Sequence, residues 1–223
     1  MSLSRQGLVA LFRAVTDGIF RVHAEALADI PTHGPLILVM NHVNLWEVPL
    51  IYARLQPRPV HGLVLADRWK NPLLAWGLNV CGAIPLKRGG ANLGTLNQAL
   101  AYLSAGEMLL IMPEGTRSYH GRLQAAHSGV VMLALKSKAP VLPVATHGGE
   151  GYKENLKRLR RTDFYIHVGQ PFTLKGAEGA VDSQSRQQML DALMYQIAAL
   201  LPPEYRGAYT RPPEAGQSYL EFG

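Results

Sequence analysis

Two periods of apolar residues run along this chain, separated by clusters of glycine, proline and polar residues. The first is helical. Leu8, Leu11, Phe12, Val15, Ile19 and Phe20 fall on one stripe, flanked by Arg5 and Arg13. This predicts an amphipathic helix over residues 1–20, either packed on a core or lying in a membrane interface. The second period is that of buried strands. Leu36 to Met40 is wholly apolar, starts after Gly34-Pro35 and stops abruptly at Asn41-His42. Such a run reads as a parallel strand covered on both faces.

The same reasoning predicts further strands over 22–25, 60–66, 107–112, 140–146 and 163–168, the last being the final strand. Helices are predicted over 45–55, 73–80, 93–105, 127–139 and 184–201. Pro72 stands near the start of one helix and Gly106 just beyond the end of another, as helix boundaries favour. From Pro202 the chain is rich in Pro, Gly and Tyr, which predicts an irregular tail over 202–223. No repeat or linker interrupts the pattern. Alternating strands and helices therefore predict one α/β domain spanning 1–223, with a largely parallel central sheet flanked by helices.

Composition narrows the picture. The apolar share of 48% is enough for a sizeable core, and a mean hydropathy of +0.01 argues against an integral membrane protein. No run of about 18 apolar residues exists, so no transmembrane helix is expected, nor does the N-terminus read as a signal peptide. The net charge of +6 favours an anionic partner: a phosphorylated substrate, anionic lipid or nucleic acid. Cys81 is the sole cysteine, which excludes an intrachain disulfide and fits a reducing compartment. The remaining histidines lack metal-ligand spacing, and no nucleophile elbow or Walker loop is present.

Candidate chemistry collects at predicted strand ends. His42 and Glu47 are five residues apart, roughly 140° around one helix at about 100° per residue. They meet only if His42 lies in the loop before the helix and the chain bends back. An acid on one imidazole nitrogen would fix the tautomer and leave the other nitrogen free to take a proton. Taken alone, the pair also reads as a helix-start histidine with a solvated glutamate. Two more strand ends carry Lys87-Arg88 and Glu114-Gly115-Thr116-Arg117. In a parallel sheet such ends converge on one rim, where ligands bind. Arginine's planar fork suits phosphate oxygens, and glycines admit backbone amides to an anion. A histidine base beside a phosphate clamp suggests proton removal from a hydroxyl of a phosphorylated substrate. The basic run from Lys153 to Arg161 reads as a solvated helix face, or as a surface for anionic headgroups or the phosphates of coenzyme A.

In order and spacing, Asn41-His42 with Glu47, Pro113-Glu114-Gly115-Thr116-Arg117 and Val141-Leu142-Pro143-Val144 resemble the motifs of glycerolipid acyltransferases. The nearest likeness is to the 1-acylglycerol-3-phosphate acyltransferase branch, over roughly residues 20 to 200. The resemblance implies transfer of a fatty acyl group from acyl-coenzyme A or acyl carrier protein to a lysophospholipid hydroxyl, with neither cofactor nor metal. It implies His42 as general base, oriented by Glu47. Lys87 and Arg88 would hold the acceptor's phosphate, with Glu114, Gly115, Thr116 and Arg117 also on the acceptor side. Pro143 would belong to the acyl-donor path. A cytoplasmic protein peripheral on the inner face of the membrane is expected, with an anionic membrane surface and no nucleic acid as partner. Glu47 stands where the family usually has aspartate, Asn44 where serine is frequent, and Pro85-Leu86-Lys87-Arg88 departs from the usual second motif. Other acceptors stay open: glycerol 3-phosphate, another lysophospholipid or a lyso-aminolipid. So does an anionic-lipid-binding protein without catalysis.

Overall fold

A computed structural model describes residues 3–87, 92–176, 181–212 and 217–223. Helix α1 (Leu3–Ile19) leads directly into β1 (Phe20–His23). Then come β2 (Leu36–Met40), α2 (Glu47–Leu55), β3 (Val60–Leu65), α3 (Pro72–Val80), β4 (Ile84–Leu86), α4 (Leu93–Ser104) and β5 (Met108–Ile111). The second half carries α5 (Gly129–Ser137), β6 (Val141–His147), α6 (Tyr152–Lys157), β7 (Thr162–Val168), β8 (Phe172–Leu174), α7 (Ser183–Ala199) and β9 (Leu220–Phe222).

The strands form one sheet in the order β1-β7-β6-β2-β5-β3-β4. The block β6-β2-β5-β3-β4 is parallel throughout. β7 runs antiparallel to β6, and β1 parallel to β7. Side chains alternate across this sheet, so each face builds its own core. Ile37 and Val39 join residues of α4, α5 and α7 on one face. Leu36, Leu38 and Met40 join α1 and α2 on the other. All five residues of β2 are buried, which is why that strand reads as a continuous apolar run. Register aligns the strand ends. Val39 is level with Ile111, Leu63 and Ile84, so three residues further on His42, Glu114, Ala66 and Lys87 come level at one rim.

Two expectations need correction, and one left open is decided. Residues 163–168 are not the last strand: β8 and β9 follow, with Val141 pairing Phe172 and Phe172 pairing Phe222. The tail is therefore not wholly irregular. It makes a 3₁₀ turn at Pro203–Tyr205 and returns to the sheet as β9. A three-residue edge strand is too short to show a period of its own, and its pairing partner supplies the order. The apolar stripe of the first twenty residues is a core-packing face along most of its length. Leu8, Val9 and Ile19 are buried, and Phe20 has passed into β1. Arg5 Nε donates to Tyr52 Oη at 2.9 Å and Arg13 Nη2 to Ala53 O at 3.0 Å, so both arginines clasp α2.

Candidate active site

The end of β2 is pinned before it reaches the site. The Asn41 side chain behaves as an extra peptide group. Its Nδ2 donates to Thr146 O and its Oδ1 accepts from Thr146 N, both at 2.8 Å, locking β2 to β6. Beyond it the chain bends back. Trp46 N donates to Asn44 Oδ1 at 2.7 Å, an Asx turn that delays the start of α2 to Glu47.

The bend brings the predicted pair together. His42 Nδ1 donates to Glu47 Oε2 at 2.8 Å. Glu47 Oε1 accepts the amides of Val43 at 2.7 Å and Asn44 at 2.5 Å. The longer glutamate thus folds back over the turn and caps it. Glu47 is 0% exposed, whereas the His42 ring is 18% exposed. Burial pushes the Glu47 carboxyl above its ordinary value, while the imidazole and the two amides pull it back. Its place in the first turn of α2 also favours negative charge. With Nδ1 engaged, His42 Nε2 has no hydrogen-bond partner among the described residues. A lone pair held at a fixed angle on a partly open ring can accept a proton.

The loop after β5 is stitched to this turn. Glu114 Oε1 accepts from His42 N at 2.8 Å, and its Oε2 from Gln124 N at 3.0 Å. Both oxygens are thereby used within the chain, and the carboxyl, 2% exposed, is pushed up by burial. Ser118 N donates to His42 O at 2.8 Å and Tyr119 N to Val43 O at 3.0 Å. Gly115 sits at φ +64°, with His127 so close that a Cβ would meet its ring at 3.2 Å. Thr116 is exposed on the same loop. The Arg117 guanidinium lies 5.6 Å from the Tyr119 ring centroid and makes no hydrogen bond among the described residues, leaving its fork available.

Lys87 is level with His42 but three strands away, roughly 14 Å at the usual strand spacing. Its backbone is fixed by Asn92, whose side chain bonds both Lys87 N and Lys87 O at 2.9 Å. Arg88 lies outside the described residues. Pro143 is buried mid-strand, level with Val39, roughly 10 Å below the rim by strand rise. The fold thus brings His42, Glu47 and Glu114 into contact, places Gly115, Thr116 and Arg117 on the adjoining loop, and keeps Lys87 and Pro143 apart from them. Gln124 and Ser118 were not singled out by sequence, since nothing local marks a residue whose task is to hold a distant loop. Ser118 Oγ and Trp46 Nε1 are buried without partners. Among the described residues, no three His, Cys, Asp or Glu side chains gather as a metal ion would require, and no helix is long and apolar enough to cross a membrane.

A family model described as Acyltransferase matches residues 21–147, over half of the chain, and its span takes in His42, Glu47, Glu114 and Pro143.

The chain belongs to the acyltransferase family.

Relatives within this family act on different lipids by name. A lyso-ornithine lipid O-acyltransferase of Pseudomonas aeruginosa is 30% identical over 183 residues, covering 74% of this chain and 70% of that protein. A 1-acyl-sn-glycerol-3-phosphate acyltransferase of Bacillus subtilis is 23% identical, covering 77% and 84%. One of Chlamydomonas reinhardtii is 25% identical, and the chain spans 52% of its length. The crystal structure of the 1-acyl-sn-glycerophosphate acyltransferase PlsC from Thermotoga maritima shares the fold. Its TM-score is 0.62 at 23% identity, over 82% of this chain and 73% of that one.

Proposed function

We propose that this acyltransferase moves a fatty acyl group from acyl-coenzyme A or acyl carrier protein onto the free hydroxyl of 1-acylglycerol 3-phosphate, giving phosphatidic acid. The observation that carries the reading is the His42–Glu47 pair at 2.8 Å, with the second imidazole nitrogen unengaged at the sheet rim. His42 Nε2 takes the proton of the acceptor hydroxyl as its oxygen attacks the thioester carbonyl carbon. Glu47 holds the ring by its Nδ1–H and stabilises the imidazolium that forms. The tetrahedral intermediate collapses with cleavage of the C–S bond, and the imidazolium returns the proton to the leaving thiolate. No acyl-enzyme is required, and the reaction calls for no resident cofactor or metal.

The acceptor's phosphate is read by Arg117, with Lys87 on the β4 side of the rim and with Arg88 in the role that the family resemblance implies. Glu114 serves by fixing the His42 backbone, and Gly115 and Thr116 by shaping the loop that presents Arg117. Pro143 acts from within the sheet, on the side of the acyl donor. The protein works peripherally, at an anionic membrane surface on the cytoplasmic side. A second acceptor is supported by the 30% identity to a lyso-ornithine lipid O-acyltransferase. The test is thiol release from acyl-coenzyme A and acyl carrier protein, with 1-acylglycerol 3-phosphate, glycerol 3-phosphate and lyso-ornithine lipid offered in turn. Release with none of them would overturn the reading. His42→Ala should abolish release while the fold is kept, with a thermal midpoint lower by about 3–6 °C for the one hydrogen bond lost from the buried Glu47 carboxylate. Near wild-type turnover in that variant would remove His42 from the chemistry.

A further inference from the structure

The connection between β6 and β7 contains an anomaly that helix stability does not account for. Helix α6 ends in a Schellman turn: Arg160 N donates to Asn155 O at 2.9 Å and Leu159 N to Leu156 O at 3.0 Å. The residue at the left-handed position of such a turn is usually glycine, and here it is Leu159, at φ +53°. Its side chain is 94% exposed, so the strain is offset by no burial. Leu156, one turn back, is 47% exposed.

Around these two leucines the surface is basic. Lys153, Lys157, Arg158 and Arg160 are exposed, with Glu154 as the acid among them. Arg161 is anchored instead, its Nη2 donating to Phe20 O at 2.6 Å. Arg21 is paired with Asp163 at 3.2 Å, which His23 also reaches. A cleft of about 530 Å³ opens beneath the knuckle, lined by Arg21, Arg160 and Arg161 among others.

Topology places this knuckle beside the candidate site. β6 ends and β7 begins at the same rim as His42, and β7 lies two strands from β2, roughly 10 Å. Other exposed large hydrophobics share that rim. Leu45 and Tyr119 lie in the turns that carry and flank His42, and Leu73, Leu74 and Leu93 start the helices after β3 and β4. Trp76 follows Leu73 by one turn on α3, whereas Leu11, Met132 and Phe222 lie on α1, α5 and β9.

We propose that the α6–β7 knuckle is a docking surface for an anionic lipid bilayer, in which Leu156 and Leu159 enter the interface while Lys153, Lys157, Arg158 and Arg160 gather headgroup phosphates. Exposed leucine tips ringed by cations match a surface that is apolar within and anionic at its face. Soluble phosphates would use the cations but give no role to a strained leucine. Docking here turns the rim that carries His42 toward the lipid. The purpose of the surface rests on the lipid-acceptor reading, but its test does not.

Binding is measured to vesicles of phosphatidylcholine alone and of phosphatidylcholine mixed with phosphatidylglycerol, with no turnover needed. The triple variant Lys157→Ala, Arg158→Ala, Arg160→Ala should bind the anionic vesicles about a hundredfold more weakly. Leu159→Gly should weaken binding about tenfold, with a thermal midpoint equal to or above wild type because glycine relieves the left-handed strain. Transfer between a short-chain acyl-coenzyme A and a soluble acceptor should be unchanged in both. Unaltered vesicle binding in either variant overturns the proposal. So does a lower midpoint for Leu159→Gly, which would give that leucine a structural task. A raised KM for acyl-coenzyme A or acyl carrier protein with vesicle binding intact would assign the surface to the donor instead.

Discussion

Replacing Glu47 by glutamine tests the site at the point where stability and chemistry meet. Three donors converge on this carboxylate: His42 Nδ1 and the amides of Val43 and Asn44. A glutamine has one accepting end and one donating end, so it cannot serve both sides. Suppose its NH₂ turns toward His42. The turn keeps an acceptor, but Nδ1 must then accept and Nε2 carries the proton. Such a ring cannot take one from a hydroxyl, and loss of the orienting carboxylate from a catalytic histidine costs about 10⁴ in kcat. Suppose instead that the NH₂ turns toward the turn. The tautomer survives, but two buried amides lose their acceptor. At about 1.5 kcal/mol for each hydrogen bond to a charged group, the fold loses about 3 kcal/mol. For a chain of this size that lowers the thermal midpoint by about 6–12 °C. Thioester cleavage with 1-acylglycerol 3-phosphate and thermal denaturation, run on the same preparation, read both branches. Activity within tenfold of wild type together with an unchanged midpoint would show that neither function belongs to Glu47.

Asn41→Ala should cost about 3 kcal/mol, since it strands the buried Thr146 N–H and C=O; a change below about 0.5 kcal/mol in denaturant unfolding would refute that account. The pH dependence of stability should carry the mark of the buried carboxyls. Glu47 and Glu114 both have their carboxyls raised from 4.5 by burial, so the folded chain holds these protons longer than the unfolded one. Their joint contribution is therefore most favourable below 4.5 and declines as pH rises through the window above it. Glu114→Gln should flatten that decline, and thermal midpoints taken across the window would expose an unchanged slope.

Much of this architecture could be read from local pattern. Apolar runs of strand length alternating with helical periods specify a layered α/β domain, because each element must bury its own stripe. Helix geometry shows that His42 and Glu47 meet only with His42 in the loop before the helix, since a continuous helix would hold them apart; that they do meet is set by the turn. The basic run from Lys153 to Arg161 was equally visible in the chain, but not that Leu159 would stand strained and exposed within it.

What only the tertiary structure decided concerns partners distant in sequence. Asn41 completes β2 through Thr146, 105 residues away, and Glu114 serves the backbone of His42, 72 residues earlier. A glutamate beside glycine, threonine and arginine suggests a ligand contact. Its carboxylate is consumed within the chain because the register of β2 and β5 sets it level with an amide that has no strand partner. β8 and β9 are ordered by pairing, and Lys87 is distanced from His42 by strand order. Local sequence carries the period of an element. Which element becomes its neighbour depends on contacts that exist only once the sheet has closed its register.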